Sequence, residues 1–246
     1  MTYFSLEEAS NRYEQYRPKV HGVIKHWLKN AGITKRFDTA IDIACGTGDS
    51  TIPVIDISNS VQGIDLSEVM LNKARAKGLE VNQLGYEAAH TLGQFDLITT
   101  CMAFHWFDFE QAVQAYKQAS SDSSIWLIYN FSFGGSVHSK EFNDWFFDTY
   151  LTLFPTPPRN SQTANFEGVS NLEKLDSSKG TIPLSFDKAA LIKYLTTQSN
   201  IEAAVHQGSS YEEVEAILQD SLQSIVFDEA FLYNYSYSIY RYTRDS

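Results

Sequence analysis

The sequence predicts an α/β fold built on a doubly wound, mostly parallel sheet. Three observations carry this. Short apolar runs alternate with helical patterns from about residue 38 to residue 133. The first run, "TAIDIA", has no polar alternation, as expected of a strand covered by helices on both faces. It leads straight into the glycine loop "CGTG", at the carboxyl edge where such sheets bind ligands.

The elements follow in chain order. "RPKVHGVIKHWLKNAG" reads as one helix, with Val20, Val23, Ile24, Trp27 and Leu28 at helical spacing. Pro18 suits its first turn and Gly32 its end. "TAIDIA" is the first strand, and a helix follows Gly48 with Pro53 near its start. "SVQGIDL" is the second strand, and Ser67 can cap the next helix, "EVMLNKARAK", which Gly78 ends. "LEVNQLG" is a weaker third strand. "FDLITTCMAFHWF" is a fourth, ending near Cys101 or Met102, with His105 and Trp106 at its end. "DFEQAVQAYKQA" is helical, and "SSIWLIYNFSF" is the fifth strand.

After Gly135 the alternation stops. "SKEFNDWFFDTYLTLF" reads as an aromatic helix, and "PTPPRNSQTANFEG" as a loop. A strand fits within Val169 to Leu184, and "FDKAALIKYLTTQS" is helical. "SYEEVEAILQDSLQSIVF" is an amphipathic helix opened by a Ser210/Glu213 capping box. "EAFLYNYSYSIYRYTR" alternates and reads as a closing strand.

The 246 residues suffice for one large α/β domain or one domain with an inserted cap. The net charge of −11, from 19 basic and 30 acidic residues, argues against nucleic acid as a partner, because phosphate contacts need clustered Lys and Arg. Cys45 and Cys101 are too far apart to suggest a metal motif, so no metal is expected, and a reduced, cytoplasmic protein is the simplest reading. The polar N-terminal stretch has no signal-peptide core, and no run approaches the roughly 18 apolar residues of a membrane span, so no membrane association is expected.

The glycine loop raises the question of its ligand. A P-loop needs a Lys after its last glycine, and none follows Gly48. A dinucleotide loop wants G-x-G-x-x-G, but the chain offers Ala44, Gly46 and Gly48, then Thr51. Asp42 at the end of the first strand and Asp65 at the end of the second both belong at the ligand crevice. Asp65 can accept from two ribose hydroxyls. Asp42 would repel a pyrophosphate but favour a ligand bearing an ammonium and a sulfonium. S-adenosylmethionine carries both, with an adenosine and no phosphate. The backbone at Gly46 to Gly48 can approach its methionine portion because glycine lacks Cβ.

"AIDIACGTGDST", "VQGIDLSEVMLNKA" and "FDLITTCMAFHWFD" resemble, in order and spacing, three motifs of class I S-adenosylmethionine-dependent methyltransferases. "AFHWFD", "NRYEQYRPKV" and "ALIKYLTTQS" are similar to segments of their small-molecule subgroup, which includes trans-aconitate methyltransferase. The resemblance covers nearly the whole chain and implies a seven-stranded, Rossmann-like sheet with an antiparallel closing strand and a helical cap insertion. It implies one methyltransferase domain over 1–246, with 1–35 a helical cover over the cofactor and 136–170 a substrate-side insertion. It also implies cofactor contacts at Tyr13, Arg17, Asp42, Ala44, Cys45, Gly46, Gly48, Asp65, Leu66, Met102 and Ala103. Tyr13 and Arg17 would reach the cofactor carboxylate. The chain departs from the pattern in two places. Ala44 replaces the first glycine of the loop, and "GYEAAH" stands where Gly-x-Ala-Glu is usual, leaving the adenine end to Glu87 or to the backbone at Ala88.

The expected function is methyl transfer to a small-molecule acceptor, a carboxylate among the candidates. Tyr16, His105, Trp106, Phe133 and Trp145 are the candidate substrate contacts, and His105 the candidate base for a phenol or amine. Plainer readings stand beside these: Tyr13, Tyr16 and Arg17 as part of an amphipathic helix, His105 and Trp106 as a core-edge pair, Phe133 and Trp145 as core. His21, His26, His90, His138 and His206 read as structural or surface residues. Two rival functions remain open from sequence: a non-catalytic S-adenosylmethionine-binding protein, and a nicotinamide-dependent dehydrogenase.

Overall fold

The computed structural model describes Phe4, residues 6–158 and residues 165–245. The expected loop at 155–168 and insertion at 136–170 therefore lie partly outside the described residues. The polar N-terminal stretch is itself a helix, α1 (Glu7–Tyr16), with Glu7 and Glu8 favourably placed in its first turn. The single helix expected from Arg17 to Gly32 is not formed. Pro18 ends α1 instead of opening a helix. The ring of a proline disfavours helical geometry in the preceding residue, and Arg17 is extended at φ −74°, ψ 137°. The chain resumes with a 3-10 turn (His21–Val23) and α2 (Ile24–Asn30), which buries Ile24, Trp27 and Leu28. Gly32, at φ +79°, ends it as expected.

The alternation that follows matches the sequence pattern: β1 (Phe37–Ile43), α3 (Ile52–Ile55), β2 (Ser58–Asp65), α4 (Glu68–Ala76), β3 (Val81–Gln83), β4 (Phe95–Cys101), α5 (Phe109–Ala119) and β5 (Ser120–Ser136). Ser67 caps α4, its hydroxyl accepting from Met70 N at 3.4 Å. Asp108 caps α5 by accepting from Gln111 N at 3.0 Å. His105 and Trp106 do not end β4. Met102 takes a left-handed φ of +54°, which stops the strand, and Phe104–Trp106 form a 3-10 turn beyond it.

The aromatic run is interrupted as a helix: α6 (Lys140–Asp144) widens into a π-helical turn (Trp145–Tyr150) before α7 (Leu151–Leu153). Then come β6 (Leu172–Ser185), α8 (Lys188–Leu195), α9 (Ser199–His206), α10 (Tyr211–Ser221) and β7 (Ala230–Thr243). The capping box on α10 is present in both directions: Ser210 Oγ accepts from Glu213 N at 3.1 Å, and Ser210 N donates to Glu213 at 2.8 Å. Helix α9 was not anticipated from the sequence.

The seven strands form one sheet in the order β3-β2-β1-β4-β5-β7-β6. The pairings from β3 through β5 are parallel. Strand β7 is antiparallel to both neighbours: Val137 N donates to Ala230 O, and Arg244 N to Asp122 O, while Phe186 N donates to Glu229 O, and Thr243 N to Asn171 O. This is the Rossmann-like sheet with an antiparallel closing strand that the family resemblance implied.

The chain divides into two compact units. The first comprises residues 1–18, 132–158 and 180–235, and the second residues 19–131, 159–179 and 236–246. The second unit has a core of Ile41, Ile43, Ile64, Ile98, Tyr116 and Trp126, extended by Phe166, Tyr240 and Tyr242. Stacking of Trp126 on Tyr242 at 5.5 Å ties the closing strand into it. The first unit has an aromatic core in which Phe133 meets Phe142, Phe146, Tyr194 and Phe231, with centroids between 5.0 and 6.1 Å.

Candidate functional site

The carboxyl ends of β1, β2 and β4 lie side by side in the second unit. Parallel register places Asp42 opposite Gly63 on one side and Thr99 on the other. Asp42 does not face the crevice as expected. Its carboxylate is fully buried and accepts from Ser50 Oγ at 2.6 Å, Thr51 Oγ1 at 2.7 Å and Thr99 Oγ1 at 2.7 Å. Burial pushes its carboxyl above the ordinary range against the pull of those three hydroxyls, with the Asp65 charge adding to the rise. Asp42 braces the loop from inside, binding the strand before it to the turn after it. Asp42 is therefore no direct contact for a ligand in the loop, and the missing Lys after Gly48 speaks only against a P-loop.

The loop itself is shaped by left-handed residues: Ala44 at φ +59°, Gly46 at +54° and Gly48 at +84°. A Cβ on Gly48 would fall 2.1 Å from Leu79 Cδ1, so glycine is required there by both conformation and space. A Cβ on Gly46 would meet nothing within 4 Å, so the backbone there is open to a ligand. Cys45 turns its thiol inward among Leu71, Ala74, Leu79 and Val81, leaving only its backbone on the loop. Burial lifts that thiol well above its ordinary pKa.

Asp65 pins the loop from the next strand. Its Oδ2 accepts from Gly46 N at 2.9 Å and its Oδ1 from Ser67 N at 2.8 Å. Burial raises its pKa, opposed by the backbone donors at Ser67, Gly46 and Leu66. Each carboxylate oxygen has two lone pairs, so each retains acceptor capacity, which suits a vicinal diol. The neighbouring Leu66 is 59% exposed. On the other side, Asp49 is clamped by Lys19 and by Lys77, the latter at 2.8 Å. Lys77 also donates to Thr47 O at 2.8 Å, holding the loop's outer edge.

Beyond β3, the 3-10 stretch Tyr86–Leu92 carries Glu87 and Ala88. Ala88 N is already committed to Gly85 O at 3.1 Å. That leaves the exposed Glu87 side chain, which lies over Gly85 beside Leu66. Past β4, Met102 N is held by Tyr129 O at 2.9 Å, Ala103 is buried, and the His105 and Trp106 rings lie 4.8 Å apart. The sequence reading passed over one residue at this end of the sheet. His21 Nδ1 lies 3.6 Å from Cys101 Sγ and 3.4 Å from the Tyr129 hydroxyl, and Cys101 and Tyr129 are paired across β4 and β5. Its only sequence signal was its position shortly after "YRP".

The other expected site residues belong to the first unit. Tyr13 and Tyr16 lie on the last turns of α1, and Arg17 follows them. The Arg17 guanidinium sits 4.7 Å from the Tyr13 ring centroid. Phe133 is part of the aromatic core, as its plainer reading had it. Trp145 is 5% exposed and packs against Phe142 and Tyr150.

In chemical terms, the second unit offers a glycine-opened loop at a strand end, a carboxylate with free acceptor capacity on the next strand, and an exposed Glu beyond the third. The loop lacks the Lys that a P-loop needs.

Comparison with known proteins agrees with this geometry. Residues 40–121 match the family model for a methyltransferase domain, a span that runs from within β1 to just past α5. A curated protein of Dictyostelium discoideum, named as a methyltransferase, is 22% identical over 211 residues, which is 81% of this chain and 78% of that one. A type II methyltransferase from Anaeromyxobacter dehalogenans has the same fold, with a TM-score of 0.66 at 16% identity over 93% of this chain and 98% of that one. A phosphoethanolamine N-methyltransferase from Haemonchus contortus, solved with phosphomonomethylethanolamine and S-adenosylhomocysteine, gives a TM-score of 0.52 at 16% identity, over 99% of this chain and 59% of that one.

Proposed function

We propose that the chain, whose residues 40–121 match the family model for a methyltransferase domain, transfers a methyl group from S-adenosylmethionine to a small-molecule acceptor. The observation that carries this is the pairing of Asp65 with the Gly46 backbone at 2.9 Å. It puts a carboxylate with spare acceptor capacity beside a loop position open to a ligand.

In this reading Asp65 holds the two ribose hydroxyls and Glu87 serves the adenine end. The backbone of Ala44 to Gly48 lies along the methionine portion, with Leu66, Met102 and Ala103 flanking the nucleoside. Asp42 acts at one remove, by fixing the loop through Ser50 and Thr51. When bound, S-adenosylmethionine supplies a methyl group on a sulfonium centre, open to in-line attack. The chain's part in catalysis is to position the acceptor and exclude water. His105 and Trp106 belong to the acceptor side. An acceptor that is already ionised needs no base, whereas a phenol or amine passes its proton to His105 or to His21.

The test is incubation with methyl-labelled S-adenosylmethionine and a pool of small metabolites. Transfer of label into a small molecule supports the proposal. Binding of the cofactor with no transfer would favour a binding protein.

A further inference from the structure

Glu202, on α9 of the first unit, is fully buried. Its Oε1 accepts from the Tyr211 hydroxyl at 2.7 Å, while its Oε2 is buried with no hydrogen-bond partner among the described residues. Tyr211 is the first residue of α10 and is itself buried. The charged groups that act on the carboxyl are Arg12 and Glu8 on α1, and Arg17 directly after it. Helix α1 is therefore the element that keeps water from Glu202.

Helix α1 is held in place by its two arginines. The Arg12 guanidinium lies 4.2 Å from the Tyr211 ring centroid. It donates to Glu215 on α10, to Thr196 Oγ1 at 3.2 Å and to Glu8 at 3.1 Å. Arg17 Nη2 donates to Thr197 O at 2.7 Å. Glu215 also accepts from Lys193 of α8 at 2.7 Å. Tyr211 joins the two parts: its ring face carries Arg12, and its hydroxyl holds Glu202.

A carboxylate in a dry interior needs several donors, and Glu202 has one. Burial pushes its carboxyl up to about 7 against the pull of Tyr211, Arg12 and Arg17, with Glu8 adding to the rise. A raised folded-state pKa means stability that is fully present below the ordinary value of 4.5 and lost as pH rises through about 7. The neighbours keep their charge over that window. The arginines stay protonated. Burial and Glu202 raise the pKa of the Tyr211 hydroxyl, which stays neutral. Burial works against the charge of Glu215, but Lys193 and Arg12 outweigh it and hold its carboxyl below the ordinary range. Glu202 is the group of this cluster that gains its charge near neutrality.

We propose that Glu202 is a proton-operated latch on helix α1: its protonated form lets α1 close over it, and its ionisation lifts α1 so that water reaches the carboxylate. The proposal concerns the first unit alone and does not rest on the methyl-transfer reading.

The experiment follows hydrogen exchange of the α1 amides in the intact chain from pH 5.5 to pH 8, corrected for the intrinsic exchange rate, with the amides of β1 and β4 as reference. The opening equilibrium of α1 is expected to rise by about tenfold or more between pH 5.5 and pH 7.5 and then to level off. Glu202→Gln keeps an acceptor for Tyr211 but cannot ionise, so opening of α1 is expected to change by less than about twofold over the same range. Tyr211→Phe keeps the ring under Arg12 and removes the one donor to the carboxylate. It is expected to move the levelling-off to higher pH, and it keeps the test open should Glu202→Gln fail to fold. Opening of α1 that does not change with pH in the parent chain overturns the proposal. So does a rise that persists undiminished in Glu202→Gln, a levelling-off that Tyr211→Phe leaves in place, or a rise shared equally by β1 and β4, which reports unfolding of the whole chain.

Discussion

Asp42 and Thr99 face each other on adjacent parallel strands, and the Thr99 hydroxyl donates to Asp42 Oδ1 at 2.7 Å with both residues fully buried. The same carboxylate takes Ser50 and Thr51 from the turn beyond the loop. One buried acid thus fixes strand β1, strand β4 and the ligand loop to each other. Thr99→Val removes one donor and is expected to cost about 1–2 kcal/mol. Asp42→Asn replaces an acceptor with a competing donor and is expected to cost about 2–4 kcal/mol and to weaken cofactor binding. Urea denaturation with an unchanged m-value, alongside calorimetry, checks both.

Asp65→Ala deletes the acceptor for Gly46 N and Ser67 N together with the proposed ribose contact. S-adenosylhomocysteine affinity should fall by at least tenfold, about 1.4 kcal/mol or more. An unchanged Kd would remove Asp65 from the ribose assignment.

Ala44 holds a left-handed φ of +59° that a glycine adopts without penalty. Ala44→Gly should therefore stabilise the protein by up to about 1 kcal/mol, a rise in Tm of roughly 2–4 °C for a chain of this size. Gly48→Ala should do the reverse, because its Cβ would strike Leu79 at a position already left-handed. Thermal denaturation of the two variants should shift in opposite directions.

Burial works against the charge of Asp49, but Lys19 and Lys77 outweigh it and hold the carboxyl below its ordinary value of 3.8. A lowered folded-state pKa means stability that is present above the unfolded value and lost as pH falls through the folded one. Stability should therefore fall as acidity increases from just above pH 3.8. Asp49→Asn should flatten part of that decline and cost about 1 kcal/mol at neutral pH, the exposure of Lys19 limiting the effect. Denaturation midpoints collected from pH 7 to pH 3 show whether the variant and the parent converge at the acid end.

His105→Ala and His21→Gln distinguish the two candidate proton acceptors. The one that takes the proton should lower kcat by about 10²-fold or more, with little change in S-adenosylhomocysteine affinity. If neither lowers kcat, the acceptor reacts already ionised, as a carboxylate would.

The sheet was legible because its strands are short apolar runs closed by glycines and capped helices, as at Ser67 and at Ser210 with Glu213. The end of the first helix was misplaced because Pro18 suits a first turn and also stops a preceding helix; the extended Arg17 shows the second use. Helix α9 went unread because "SNIEAAVH" is too short to show a period. Asp42 was correctly placed at a strand end but not correctly aimed. Its hydroxyl partners come from residues 50, 51 and 99, and a linear reading gives no sign that all three converge on one carboxylate. His21 was passed over for the same reason, since Cys101 and Tyr129 reach it only through the sheet.

The central claim is that the glycine loop and Asp65 hold S-adenosylmethionine and not a dinucleotide. Isothermal calorimetry of the intact chain against S-adenosylhomocysteine and against NAD tests it most directly. Saturable one-to-one binding of S-adenosylhomocysteine, with no heat of binding from NAD, is the predicted result. Binding of NAD with none of S-adenosylhomocysteine would contradict it.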